Sequence, residues 1–237
     1  MLSSKKNMSE EIKNILNSTV NQIALSHQAT DRFEKHQHRI AEEKAYEWSR
    51  KTHELRTVWN APKRHATARE LDWNSEWGLV TKRLIAKIES GQGLLAALVG
   101  NRGAGKTQIA VELMRANTNH QRSALYVSTM EWFMAIKSTY KKNTDQTEID
   151  IIKQFRKPNL LVLDEYGRRS DTEWENNLLF ELLDKRYSDM NNTILISNQK
   201  AVELIESLGK SLASRLNETG GIIECEWPSW RTQIKPE

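Results

Sequence analysis

The chain has 237 residues, enough for one substantial domain with an appendage or for two small domains. Hydrophobic residues make up 38%, and no apolar run approaches the roughly 18 residues of a spanning helix, which excludes a membrane protein. The formal net charge of +4 lies within residues 1–70, where 13 Lys+Arg face 9 Asp+Glu; the remainder balances at 22 of each. Five of the six histidines (His27, His36, His38, His53 and His65) share that basic stretch. A basic appendage on a neutral domain suits nucleic acid or an acidic protein face, and it equally suits a solvated helical surface. No apolar region of a secretory signal follows Met1-Leu2-Ser3-Ser4-Lys5-Lys6-Asn7. The lone cysteine, Cys225, allows neither an internal disulfide nor a cysteine zinc cluster, so a reducing, cytoplasmic compartment is expected.

In chain order, Ile12, Ile15, Leu16, Thr19 and Ile23 recur at helical spacing and predict an amphipathic helix over 9–25. Residues 31–57 predict a long polar helix with a thin stripe of Phe33, Ile40, Trp48 and Leu55. Such a helix builds no core alone, so its stripe is expected to meet another subunit, another protein or the main domain. His36 and His38 sit two apart and do not share a helical face, which argues against a metal site. Asn60-Ala61-Pro62-Lys63-Arg64 breaks the helix and is read as a linker.

Asn74 or Ser75 then caps a helix carrying Trp77, Val80, Leu84 and Ile88, which Gly91-Gln92-Gly93 ends. Leu94 to Val99 is an apolar run expected as a buried strand. It leads directly into Gly100-Asn101-Arg102-Gly103-Ala104-Gly105-Lys106-Thr107, which fits G-x-x-x-x-G-K-[ST]. Gln108 to Met114 continues at helical spacing. A strand, a glycine loop and a helix in succession form the context of a phosphate-binding loop. Further strands are expected at 123–128, 160–163 and 193–198. Helices follow through Trp132, Phe133, Ile136 and Tyr140, up to Phe155, and over 173–187 with Leu178, Leu179, Leu182 and Leu183 inward. Alternating strands and helices predict a parallel sheet covered on both faces.

The chemistry follows from residue types at these places. Glycines let backbone N–H groups approach phosphate oxygens, and the helix start adds partial positive charge. Lys106 is expected at the β- and γ-phosphates of a nucleotide and Thr107 at Mg2+. Leu160-Leu161-Val162-Leu163-Asp164-Glu165 is a Walker B pattern, with Asp164 for magnesium and Glu165 to polarise the attacking water. The Asn198 amide is a candidate to orient that water; a helix-capping loop asparagine is the alternative.

The run Pro158 to Gly167 resembles the Walker B region of the DnaC/IstB branch of AAA+ ATPases. Asp184-Lys185-Arg186-Tyr187, Thr193 to Asn198, and Leu208 to Leu216 resemble that family's successive motifs in the same order, so the likeness covers about Trp73 to Arg231. The resemblance implies an AAA+ P-loop NTPase core at 73–237 and leaves the N-terminus undecided. The helix break places a linker at 61–72, and the amphipathic and basic helices before it suit a helical partner-docking region at 1–60. The resemblance matches Asn198 to sensor 1, Arg215 to an arginine finger serving a neighbouring subunit, and Arg231 to the sensor 2 arginine. It implies self-assembly through the ATP site. It further implies a helicase loader that hydrolyses ATP, binds single-stranded DNA and delivers a replicative hexameric helicase. A transposition helper on duplex DNA and a non-hydrolysing adaptor are the alternatives. Lys137, Lys141 and Lys142 fall where related ATPases face DNA. For the eight tryptophans core packing is the commoner role and stacking on bases the other.

Overall fold

The computed structural model describes residues 35–68, 71–140 and 146–229. The expected helix at 9–25, with Lys141, Lys142 and Arg231, lies outside the described residues. Contacts divide the chain between Lys51 and Thr52.

Residues 35–57 are helical (α1). Up to residue 50 nearly every described side chain of α1 is exposed, with Ile40 and Trp48 half-buried. His38–Glu42, Arg39–Glu43 and Glu47–Lys51 pair one turn apart. Such exposed pairs are each worth about 0.3–0.5 kcal/mol, so local charge contributes little to this helix.

The larger unit is built on a five-stranded, wholly parallel sheet. The elements are α2 (Lys63–Ala66), α3 (Glu76–Glu89), β1 (Leu95–Val99), α4 (Lys106–Asn119), β2 (Ala124–Ser128), α5 (Thr129–Ser138), α6 (Glu148–Arg156), β3 (Leu160–Asp164), α7 (Glu173–Ser188), β4 (Asn192–Ile196), α8 (Ala201–Thr219) and β5 (Gly221–Glu224). The strand order is β2-β3-β4-β1-β5. β4 thus lies between the strand that ends in the phosphate loop and the strand that ends in the acidic pair.

β1, β3 and β4 are buried along their whole length, which is why they read as unbroken apolar runs. Ala96, Leu98, Val162, Ile194 and Ile196 face one core with α3 and α4. Leu95, Ala97, Val99, Leu161, Leu163 and Leu195 face the other, with α5, α6, α7 and α8. Fully burying one such leucine is worth about 1.5–3 kcal/mol, so the two cores dominate the fold's stability.

Local signals set the helix starts. Ser75 accepts from the Gly78 amide, and α5, α6 and α7 begin with capping boxes, Ser128/Glu131, Thr147/Asp150 and Thr172/Glu175. In α3 the buried face is Trp77, Thr81, Leu84 and Ile88, with Val80 at its margin. α8 is interrupted at Gly209, where φ 74° and ψ 162° suit only glycine. β5, which periodicity does not predict, adds Ile222 and Ile223 beside β1.

Asn60 to Arg64 does end α1, and Pro62 then opens α2. This stretch is packed: Leu55, Ala61 and Ala66 are buried in the first core. Trp59 and Asn60 lie along the outer edge of β2, the Trp59 carbonyl accepting from the Tyr126 amide at 2.9 Å and Asn60 Nδ2 donating to the Tyr126 carbonyl at 3.0 Å.

Candidate nucleotide-binding site

Beyond β1 the chain turns through Gly100, Gly103 and Gly105, whose φ values of 119°, 91° and 77° are left-handed. Gly105 is the N-cap of α4, so the first amides of that helix have no carbonyl one turn earlier to bond. Amides so placed form a ready anion site. They border a cleft of about 570 Å³, within the usual size range of small-molecule sites. Lys106 is buried, and its Nζ donates to the carbonyls of Gly100 at 2.6 Å and Asn101 at 2.8 Å. Its charge is thereby folded over the loop rather than into solvent. Arg102, Thr107 and Gln108 border the same cleft.

Across it, β3 delivers Asp164 and Glu165. Thr107 Oγ1 donates to Asp164 Oδ2 at 3.1 Å, and the Tyr126 hydroxyl donates to the same oxygen. Burial, then the charge of Asp164, pushes the Tyr126 phenol far above its ordinary range, so it remains a donor. Thr107 and Asp164 are hard oxygen ligands side by side, and this suits a magnesium ion completed by phosphate and water. Among the described residues no group of three or more His, Cys, Asp or Glu side chains could hold a metal. Glu165 sits at φ 56°, a left-handed value uncommon outside glycine. Its amide donates to Asp164 Oδ1 at 2.6 Å, and Arg168 Nη1 donates to its carboxylate at 2.8 Å. Asn198 follows β4 and faces the same cleft. The sheet therefore brings Lys106, Thr107, Asp164, Glu165 and Asn198 together.

The cleft is also bordered by Arg64, His65, Leu71 and Trp77. Gln108 carries α2 there: its Oε1 lies 2.9 Å from His65 Nδ1, and its Nε2 donates to the His65 carbonyl at 3.1 Å. Gln108 also donates to Glu112 at 3.0 Å, and Arg115 donates to the Ala66 carbonyl at 2.7 Å. Burial pushes the Glu112 carboxyl up, and Arg115 and Gln108 oppose that by stabilising its charge.

Tyr126, Arg168 and the α2 residues escape sequence reasoning. No motif contains them, and the only local signal is Pro62 as a helix opener.

Arg215 does not border the cleft. It pairs with Asp184 and lies 5.9 Å from the ring centre of Phe180 and 5.2 Å from that of Tyr187, on the α7 side. Lys137 stands 5.3 Å over the Trp174 ring.

A parallel sheet in this order, with the phosphate loop after its fourth strand and the acidic pair after its second, is the fold of the AAA+ P-loop class. Within that class the chain belongs to the family of IstB-like ATP binding proteins, which matches residues 9–235. It is similar to the replicative helicase loader DnaC of Escherichia coli K12, at 23% identity over 150 residues, 62% of this chain and 61% of that protein. The DnaC of Buchnera aphidicola subsp. Baizongia pistaciae is 26% identical over 136 residues, covering 57% of this chain and 55% of that one. The matches thus span about three fifths of the curated relatives' length or less. Among solved structures, the DnaC helicase loader has a TM-score of 0.54 at 22% identity, over 70% of this chain and 97% of that one. DnaI gives 0.56 at 20% identity, over 71% and 93%. AMPPCP-bound DnaA of Aquifex aeolicus gives 0.56 at 20%, over 68% and 50%. At these identities the structures speak to the fold. No helix among the described residues is long and apolar enough to cross a membrane.

Proposed function

We propose that this chain is a cytoplasmic ATPase that loads a replicative hexameric helicase onto single-stranded DNA. The observation that carries the reading is the composition of the cleft. Lys106, Thr107, Asp164, Glu165 and Asn198 meet there on one chain, whereas Arg215 does not border it. Arg64, Arg102 and Arg168 border the cleft, but Arg215, the residue matched to an arginine finger, does not, and in this reading it serves the cleft of a second copy. The relatives named as replicative helicase loaders supply the biological context.

In this reading the amides after Gly105 and Lys106 bind the phosphates of ATP. Thr107 and Asp164 would hold Mg2+, which would supply charge neutralisation for the phosphates. Tyr126 fixes the Asp164 carboxylate. Glu165 polarises the attacking water and Asn198 orients it. Arg215 from a neighbouring subunit stabilises charge developing on the transferring phosphoryl group. Arg231 is assigned the sensor 2 role. Residues 1–60 dock the helicase, 61–72 connect, 73–237 form the ATPase domain, and Lys137 contacts single-stranded DNA.

The test is capture of a purified hexameric helicase by the full chain with ATP. The truncation removes residues 1–51, because Leu55 is buried and Trp59 pairs with Tyr126, so a longer cut would damage the core. The expected result is capture by the full chain and none by the truncated one. Undiminished capture without 1–51 moves docking to the ATPase unit. The family match to IstB-like proteins favours a second reading, a transposition helper, for which the outcome is ATP-dependent filaments on duplex DNA.

Assembly has its own test. Arg215→Ala and Lys106→Ala subunits, each inactive alone, are expected to regain part of the turnover when mixed, since mixed interfaces pair an intact loop with an intact finger. Absence of any rescue rules out action in trans.

A further inference from the structure

Two tryptophans bond consecutive carbonyls of the phosphate loop. Trp227 Nε1 donates to the Ala104 carbonyl at 2.5 Å, and Trp77 Nε1 donates to the Gly105 carbonyl at 3.2 Å. They come from opposite ends of the domain, 123 and 28 residues from their acceptors. Trp77 is buried in α3, and Trp227 packs against the same core from the segment after β5. That segment is held against the loop by backbone. The Cys225 amide donates to the Val99 carbonyl at 2.8 Å. A Cβ on Gly100 would stand 2.8 Å from the Cys225 carbonyl oxygen. Gly100 is therefore required by the neighbouring chain segment as well as by its own φ of 119°.

A buried indole N–H takes some acceptor in any core, and one such bond would mean only that. Here both bonds fall on adjacent peptide units at the start of α4. In a trans peptide the C=O and N–H point in opposite directions. Holding the Ala104 carbonyl away from the cleft turns the Gly105 amide toward it. Holding the Gly105 carbonyl does the same for the Lys106 amide. The Gly105 carbonyl also accepts the Ile109 amide at 2.9 Å, so both its lone pairs are used. The alternating glycines would otherwise leave these peptide units free to rotate. Fixing them beforehand removes an ordering cost from binding.

We propose that Trp77 and Trp227 are positioning residues that hold the phosphate loop's amides on the phosphate chain of the nucleotide. This rests on the ATP-binding reading and extends it to two side chains that act through the loop's carbonyls. The consequence is selective at Trp227, which does not border the cleft: phosphate-bearing ligands feel its N–H, and the nucleoside does not.

The experiment is calorimetric titration of the full chain with ATP, inorganic tripolyphosphate and adenosine, each with magnesium. The chain is compared with Trp227→Phe and with benzothienylalanine at position 227, which keeps the indole's shape and lacks the N–H. Both are expected to bind ATP and tripolyphosphate about tenfold more weakly, the loss of about one well-placed hydrogen bond, with adenosine within about twofold. Trp77→Phe is expected to lose less tripolyphosphate affinity than Trp227→Phe, since Ile109 still holds the Gly105 carbonyl. ATP affinity within about twofold in the benzothienylalanine protein overturns the proposal, as does an equal loss for adenosine. Absence of ATP binding by the unsubstituted chain overturns the ATP reading itself, which separates the two failures.

Discussion

Replacing Glu165 with Gln is expected to lower ATP turnover by about 10²–10³-fold while ATP affinity stays within about threefold. Glutamine keeps the size and the hydrogen-bonding oxygen, so the cleft keeps its shape. It loses the carboxylate charge that, in the proposed mechanism, draws a proton from the attacking water. The neighbouring ion pair decides whether the substitution is clean. Arg168 bonds Glu165 at 2.8 Å, but the two side chains are 64% and 42% exposed. A pair so solvated is worth about 0.2–1 kcal/mol, so its loss neither unfolds the loop nor accounts for a hundredfold change. In the proposed mechanism phosphate and magnesium are held by Lys106, Thr107 and the loop amides, so ATP binding should survive. Phosphate release at saturating ATP and magnesium measures the first effect, and equilibrium titration with ATP the second. Turnover within about threefold of the unsubstituted chain would place water activation elsewhere. Loss of ATP binding would make Glu165 a ligand-binding group instead.

Much of this site could be read from the chain because its parts are local. The loop from Gly100 to Thr107 is contiguous, and Asp164 and Glu165 follow an unbroken apolar strand. The strand expected at 193–198 is β4, which lies between β3 and β1, and Asn198 follows it. What stayed hidden depends on long-range hydrogen bonds, which leave no period in the sequence. His65 meets Gln108 across 43 residues, Arg115 meets Ala66 across 49, and Trp227 meets Ala104 across 123. Residues 60–66 look like a connector because Asn60 and Pro62 are helix breakers, yet their neighbours Ala61 and Ala66 are too small to announce burial. β5 offers only Ile222 and Ile223 between Gly221 and Glu224, which is below the length at which a strand pattern can be recognised.

The motif Asp184-Lys185-Arg186-Tyr187 shows how a family pattern can mix roles. Asp184 and Tyr187 flank Arg215 on the α7 surface. Arg186 points the other way and is fully buried. Its guanidinium donates to Thr193 Oγ1 at 2.9 Å and to the carbonyls of Phe155 at 3.1 Å, Arg156 at 2.8 Å, Pro158 at 2.9 Å and Asn192 at 2.5 Å. These acceptors close α6, open β3 and open β4, so one side chain ties together the amino-terminal ends of two central strands. Burial pulls its pKa down to about 9, which leaves it charged at neutral pH. Two effects compete when it is removed. Losing a buried charge returns its desolvation cost, while five acceptors lose their donor in a place water does not reach. Unsatisfied buried acceptors cost about 1–3 kcal/mol each, so the second effect wins even if only some remain unpaired.

Arg186→Met is therefore expected to destabilise the fold by about 3–5 kcal/mol, a large part of the 5–15 kcal/mol typical of a domain. Arg186→Lys is expected to recover little, because three donors on a point charge cannot reach acceptors spread around a planar fork. Denaturant unfolding of both variants measures this, with the midpoint shifted down and the slope unchanged. A loss below about 1 kcal/mol for Arg186→Met would mean that the acceptors find other donors. ATP affinity at temperatures where the variant remains folded separates this role from chemistry at the cleft. Arg186 lies at the opposite ends of the strands from Asp164 and the loop, so affinity there should match the unsubstituted chain. A loss of affinity in the folded variant would show that the two ends of the sheet are coupled, and the motif would then carry function at both Asp184 and Arg186.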